Sequence, residues 1–434
     1  MTAEIAVYNR SGIALAADSA VTTTNGFSEK IYNNAEKLFE LSKNNPVALM
    51  IYNNAGICNA PWELLIKAYR RELGDKSFKH ISEYAIDFFN FVEKNSKIVT
   101  AEMQASYFFS LFSDAILPQI LQKVQNHDIA DFIKSNNSAP SFTQYHNFIE
   151  ERARLKFDEI YHNPFFAGFD DSDLASVYSD ICLVVDQLCT LRIQPNIENE
   201  SHPYPDSLKD AIARLCSVYV CKENDLQSYS GVVFAGYGDD EYYPAIESHH
   251  VYGLYNGKLL KPINKDKDNS GMSIGIYPFA QEDEVHTFMQ GCSSGILQCV
   301  EESLSNSLQK MKSEILKSLT SQYPSIKRDD IEAAFNATIE SYQRETQQAI
   351  EDHMTQNHVQ KVLSVLGSLA KVDLGYMAES LVNLTAFKRK VSNDSDSVGG
   401  PIDVAVLSKG DGFVWMKRKH YFDKELNYRF FKRN

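Results

Sequence analysis

The residues that could do chemistry begin at position 2. A threonine hydroxyl alone is a weak nucleophile, but a threonine with a free α-amine carries nucleophile and base together. That amine, with an ordinary pKa of about 7.7 to 8.0, can take the hydroxyl proton directly or through one water near neutral pH. The chain opens Met1-Thr2 at the head of a β-favouring run, and removal of Met1, which a small second residue permits, is expected to expose the unit. Such a nucleophile needs a cation that keeps the amine partly neutral and a carboxylate that holds the cation. Lys37, which opens Lys37-Leu38-Phe39, and Asp18, which closes the second β run, are the candidates. Their pairing would depress the amine pKa and stabilise developing oxyanion charge.

Each of these residues has a plainer reading beside the chemical one. Threonine is common at position 2, an aspartate after a strand is usually a turn former, and a lysine at a strand start is usually exposed. Other reactive side chains read as structural. His249 and His250 are neighbours, so in a strand they face opposite sides and cannot share a metal. Seven cysteines show no CxxC pair and no histidine cluster at ligand spacing, so reduced, mostly buried thiols are expected, with no metal and no cofactor. Cys292, beside Ser293, has no local histidine or asparagine to activate it. The acidic runs 239–241 and 282–284 lack the alternating oxygens and glycine turn of a calcium loop.

Short β runs must carry these residues: Glu4 to Tyr8, Gly12 to Ala17 and Val47 to Tyr52, followed by a helix with Trp62, Leu65, Ile66 and Tyr69 on one face and Gly74 beyond its end. From about residue 78 helical stripes dominate, with Pro118 interrupting one of them, until strand character returns at Ser217 to Val220. It continues at Gly231 to Tyr237, Ala245 to Tyr255 and Met272 to Tyr277. Two further helices are expected from the stripes Leu304 to Leu319 and Ile331 to Tyr342, and a third from Leu374 to Lys388. A hairpin of Ile402–Leu407 and Gly412–Met416 turns at Lys409, Gly410 and Asp411. Blocks of strands and helices favour an α+β layered fold over a doubly wound parallel sheet.

At 434 residues, with 44% hydrophobic and 23% charged side chains, the chain reads as globular rather than disordered or fibrous. A net charge of −14 argues against nucleic-acid binding. The exception is residues 416–434, where seven basic and two acidic residues give a local +5, read as a solvated end or a subunit contact. No signal peptide and no apolar stretch of about 18 residues is seen, so a cytoplasmic protein without a membrane partner is expected.

The first block of the chain resembles the proteasome β-type subunits and bacterial proteasome-like peptidases of the N-terminal nucleophile hydrolases. In that family a terminal threonine opens the first strand, an acid sixteen residues later closes the second in an AADSR-like motif, and a lysine opens a KLF-type strand. Here these are Thr2, then Ala16-Ala17-Asp18-Ser19, then Lys37-Leu38-Phe39. Ser397-Val398-Gly399-Gly400-Pro401 is similar to the stretch before the family's closing strand. Gly231 to Tyr237 resembles its central strand, and Gly291-Cys292-Ser293-Ser294-Gly295 its glycine-serine turn before a helix. The resemblance implies Thr2 as nucleophile and base, Lys37 tuning the amine, Asp18 orienting Lys37, Ser293 (or Ser294) and Ser397 supporting, and Asp394 or Asp396 as the upstream acid. Ala20 replaces the family's arginine, and Asn53 stands where the family has the glycine whose N–H lines the oxyanion hole. Asparagine tolerates left-handed backbone, so Asn53 could still present its N–H.

The resemblance also implies a four-layer αββα sandwich built from residues 1–75, 217–299 and 371–434, with large helical insertions at 76–216 and 300–370. The leading expectation is a threonine-type amidohydrolase, most simply a peptidase, acting on a peptide or protein substrate and assembling with copies of itself, in a ring if it follows its apparent relatives. The alternative is a non-catalytic proteasome-like scaffold. No feature identifies an unfoldase partner.

Overall fold

The computed structural model describes residues 3–24, 29–193, 204–226, 228–262, 269–270, 273–323, 328–392, 399–420, 422–423 and 425–429. Thr2, Asp394, Asp396 and Ser397 lie outside these residues. The chain is α+β, with its principal sheets antiparallel, and its contacts divide it into two units. One unit comprises Met1–Ala35, Tyr242–Pro244 and Ser270–Asn434; the other comprises Glu36–Glu241 and Ala245–Asn269.

In the first unit, Ala3–Asn9 (β1) and Gly12–Ala17 (β2) form a hairpin whose strand residues are all buried. Burial on both faces explains why these strands read as continuous small and apolar runs instead of alternating. The turn is fixed by Asn9, whose amide donates to the carbonyls of Leu366 and Leu369 at 2.8 and 3.0 Å and whose side-chain oxygen accepts the Ser11 N–H at 2.8 Å. Gly12 is required because a Cβ there would lie 2.8 Å from the Leu407 carbonyl oxygen. Val21–Thr24 (β3) and Glu29–Tyr32 (β4) form a separate small hairpin.

The second unit carries Leu38–Glu40 (β5), Val47–Asn53 (β6), the small ladder of Gly56–Ile57 (β7) and Ala60–Pro61 (β8), then Ser230–Gly236 (β9) and Ala245–Val251 (β10). Gly253–Tyr255 (β11) pairs with Lys258–Leu260 (β12), and Asn269–Ser270 (β13) follows. Its five-stranded sheet runs β13-β10-β9-β6-β5. Helix Ile81–Lys94 packs on β9 and β10, where Phe88 and Phe89 meet Phe234 with ring centroids 5.6 and 5.7 Å apart. Helices continue to Cys221, with Phe142–Tyr161 and Asp171–Cys182 both packed against Asp206–Cys221.

The chain then completes the first unit's sheet. Gly275–Ala280 (β14) pairs with β1, Asp403–Ser408 (β15) with β2, and Gly412–Lys417 (β16) with β15, giving the order β14-β1-β2-β15-β16. Helix Lys371–Val391 covers β1, β2 and β15 through Leu374, Ala378, Leu381 and Val382. Ser294–Gln322 and Arg328–Met354 pack on each other as a long helical hairpin.

Two expectations are corrected. Ser217–Val220 is not a strand but the last turn of Asp206–Cys221, where every residue from Leu215 to Cys221 is buried. A helix buried on all sides loses its polar stripe, and a β-branched run then imitates a strand. Pro118 does not end its helix: it sits at the start of Leu117–Lys123, directly after a π-helical turn at Phe112–Ile116. A widened turn spares the proline the hydrogen bond it cannot donate.

Among the described residues no single helix is long and apolar enough to cross a membrane; one bent pair, Asp171–Cys182 with Val185–Arg192, passes on length and composition. Its Val177, Ile181, Val185 and Leu188 are buried in the protein's own core.

Candidate active site

The end of β2 is built around one carboxylate. Asp18 is fully buried and accepts backbone N–H groups from Ala3 at 3.2 Å and Gly399 at 3.0 Å, with Ala20 farther out at 3.4 Å. Its own N–H donates to the Ala3 carbonyl at 3.1 Å. Ser19 reinforces the junction: its N–H donates to the Gly399 carbonyl at 3.2 Å and its hydroxyl to the Pro401 carbonyl. Asp18 therefore joins the residue after Thr2 to a residue two positions beyond Ser397, although these lie nearly four hundred residues apart in sequence. Charge-assisted bonds to backbone N–H groups are the stronger kind, and the accepting carboxylate is itself fully buried.

Lys37 and Asn53 belong to the second unit. Lys37 is 3% exposed, and its carbonyl accepts the Ile51 N–H at 2.9 Å, which sets it at the same end of the sheet as Asn53, the last residue of β6. Asn53 has φ +61°, in the left-handed region. The loop after it also turns through positive φ, at Cys58 and Asn59 (+46° and +66°), before helix Trp62–Leu73 begins. It is tied back by Asn54 to the Ser228 hydroxyl (2.9 Å) and by the Ser230 hydroxyl to the Gly56 carbonyl (2.9 Å). A cavity of about 500 Å³ opens on this loop, lined among others by Asn54, Cys58, Tyr107, Ser230 and Tyr252. Burial pushes the Cys58 thiol up to about 12, so at neutral pH this wall of the cavity is a neutral, apolar sulfur rather than a nucleophile.

Ser293 caps helix Ser294–Gln322, its hydroxyl accepting the Ile296 N–H at 3.4 Å, two residues after Gly291 in left-handed backbone. Asp18 and Ser293 thus fall in the first unit and Lys37 and Asn53 in the second.

One polar pair escaped the sequence reading. Tyr52 and His250 both lie opposite Gly231 across β6, β9 and β10, and the Tyr52 hydroxyl and His250 Nε2 are 3.1 Å apart. The missing side chain at Gly231 makes room, since a Cβ there would fall within 2 Å of the Tyr52 ring. Only strand register brings these three residues together, and register is not written in any local motif.

No protein-family model matches the sequence, and no curated protein does. Among solved structures, a mutant of Anbu from Hyphomicrobium sp. strain MC1 is similar over 100% of this chain and 94% of its own, with 10% identity and a TM-score of 0.29. At that score the likeness carries no argument.

What the residues offer chemically is specific enough to be tested. Among the described residues no group of three or more His, Cys, Asp or Glu side chains could hold a metal ion. A buried carboxylate fixes the first backbone N–H after position 2, and a buried lysine and a left-handed asparagine share one end of the other sheet.

Proposed function

We propose that the chain is an N-terminal-threonine amidohydrolase of the proteasome-like type, hydrolysing peptide amides through an acyl-enzyme on Thr2 once the bond between Met1 and Thr2 is cut. The observation that carries this reading is the pair of bonds that Asp18 accepts from the N–H groups of Ala3 and Gly399, one residue after the proposed nucleophile and two residues after its supporting serine. The Thr2 amine takes the hydroxyl proton as the oxygen attacks the carbonyl; the same proton passes to the departing amine as the ester forms. Water, deprotonated by the Thr2 amine, then attacks the ester; the Thr2 oxygen leaves and takes that proton back from the amine, restoring the hydroxyl and releasing the acid. Lys37 lowers the amine pKa and Asp18 orients Lys37. The Asn53 N–H meets the developing oxyanion, while Ser293, Ser397 and Asp394 support the amine. The fold that goes with this reading is the four-layer αββα sandwich of residues 1–75, 217–299 and 371–434, with 76–216 and 300–370 as helical insertions.

The test is hydrolysis of a panel of peptide and small amides by the wild type, Thr2→Ala and Thr2→Ser. Thr2→Ala is expected to lose all turnover and Thr2→Ser to keep part of it; equal turnover in wild type and Thr2→Ala would overturn the reading. A scaffold without activity is favoured by the Asn53 side chain and by the use of the Ser293 hydroxyl as a helix cap. Intact mass separates the two, because a protein that keeps Met1 has no threonine amine.

A further inference from the structure

Helix Lys371–Val391 buries one face, Leu374, Ala378, Leu381 and Val382 among its residues, against the first unit's sheet. Its opposite face is also apolar and is open. Val372, Tyr376, Leu384, Phe387 and Val391 are 53%, 58%, 40%, 65% and 66% exposed. At 3.6 residues per turn they fall, with Ser380 and Asn383, on roughly one third of the helix circumference, a stripe running about 29 Å along the helix. Scattered apolar residues on a surface need no explanation, but a continuous stripe on an otherwise well-packed helix marks a contact.

We propose that this face binds the same face of a second copy of the chain across a two-fold axis passing between Leu381 and Val382. Apart from Leu384, which meets Glu379, the pattern is self-complementary about that point. In an antiparallel pairing Val372 meets Val391 of the second copy, Tyr376 meets Phe387, and Ser380 meets Asn383, a small hydroxyl residue beside an amide at the crossing point. The charges follow the same rule. Asp373 meets Lys390 of the second copy, and both side chains are exposed and have no ion-pair partner among the described residues. An isologous contact demands this reversal of order, whereas an unrelated partner would impose no such symmetry on one helix.

A second feature fits the same occupant. A cavity of about 380 Å³ opens beside the C-terminal half of the stripe, lined by Asn383, Phe387 and Lys390 with Asn33, Gly399 and Gly400. In the two-fold arrangement Tyr376 of the second copy stands over Phe387 and is the side chain that enters it. Two aromatic anchors at the centre of a desolvated patch are the usual carriers of interface energy.

The contact is tested by the mass of the full chain in solution, by sedimentation velocity over a concentration series. The wild type is expected to form an assembly containing this dimer, and Phe387→Glu to halve its mass. Asp373→Lys or Lys390→Asp alone is expected to weaken association about tenfold, since each change introduces two like-charge contacts per dimer. The double variant Asp373→Lys/Lys390→Asp re-forms both pairs and is expected to restore wild-type association, which also shows that the variants fold. A wild type that stays monomeric, a Phe387→Glu mass equal to that of the wild type, or a double variant no better than either single one would overturn the proposal.

Discussion

Asp18 carries the most weight of any side chain described in the first unit, and its role is first of all a backbone one. Removing its carboxylate in Asp18→Ala leaves the buried Ala3 N–H and the half-buried Gly399 N–H without their acceptor, at a cost of about 2–3 kcal/mol. Chemical denaturation should show that loss of stability whether or not the protein is an enzyme. Asn53 can be separated from chemistry in the same way. Its φ of +61° predicts that Asn53→Gly is tolerated, while Asn53→Val loses roughly 1–2 kcal/mol because a branched side chain resists left-handed backbone. Equal stabilities for these two variants would show that the turn is not under that strain. That Asp18 lies beside the start of the first strand was legible because two strands joined by a two-residue turn convert sequence distance into position. The partnership of Asp18 with Gly399 was not, since nothing local ties the two ends of the chain together.

At the level of elements, most boundaries follow from periodicity and turn chemistry. Trp62–Leu73 shows its stripe and its terminal Gly74, and β15 and β16 turn where Lys409, Gly410 and Asp411 had suggested. Failure came where burial was complete. The stretch Leu215 to Cys221 has no polar face to reveal a helical period, so tertiary packing rather than local preference decides its conformation. The same burial governs the thiols. Burial pushes Cys189 and Cys221, like Cys58, up to about 12 and raises Cys216 as well, whereas Cys182 and Cys299 are exposed. Thiol titration of the native protein should therefore react Cys182 and Cys299 quickly, Cys292 more slowly and the other four only after denaturation. Prompt reaction of all seven would contradict the packing of these helices.

Across the whole molecule, the chain enters and leaves each unit more than once, which is why a linear reading could find the strands without finding how they are shared. Each unit has one five-stranded sheet, and β2, which ends just before Asp18, and β5, which starts just after Lys37, belong to different sheets although only the small β3–β4 hairpin separates them in sequence. Hydrophobic pattern reports that a strand is buried but not which strands pair, and that information lies in contacts between distant segments. The exposed stripe on Lys371–Val391 was missed for a related reason: the sequence marked a helix from Leu374 to Lys388 without distinguishing a face buried in this chain from one left open. The central claim remains the nucleophile at residue 2. Its most direct measurement is treatment of the protein with an electrophile directed at N-terminal threonine, followed by intact-mass analysis and peptide mapping. A single adduct on Thr2, absent from Thr2→Ala, is predicted; an unmodified protein, or label found only on Cys182 or Cys299, would contradict it.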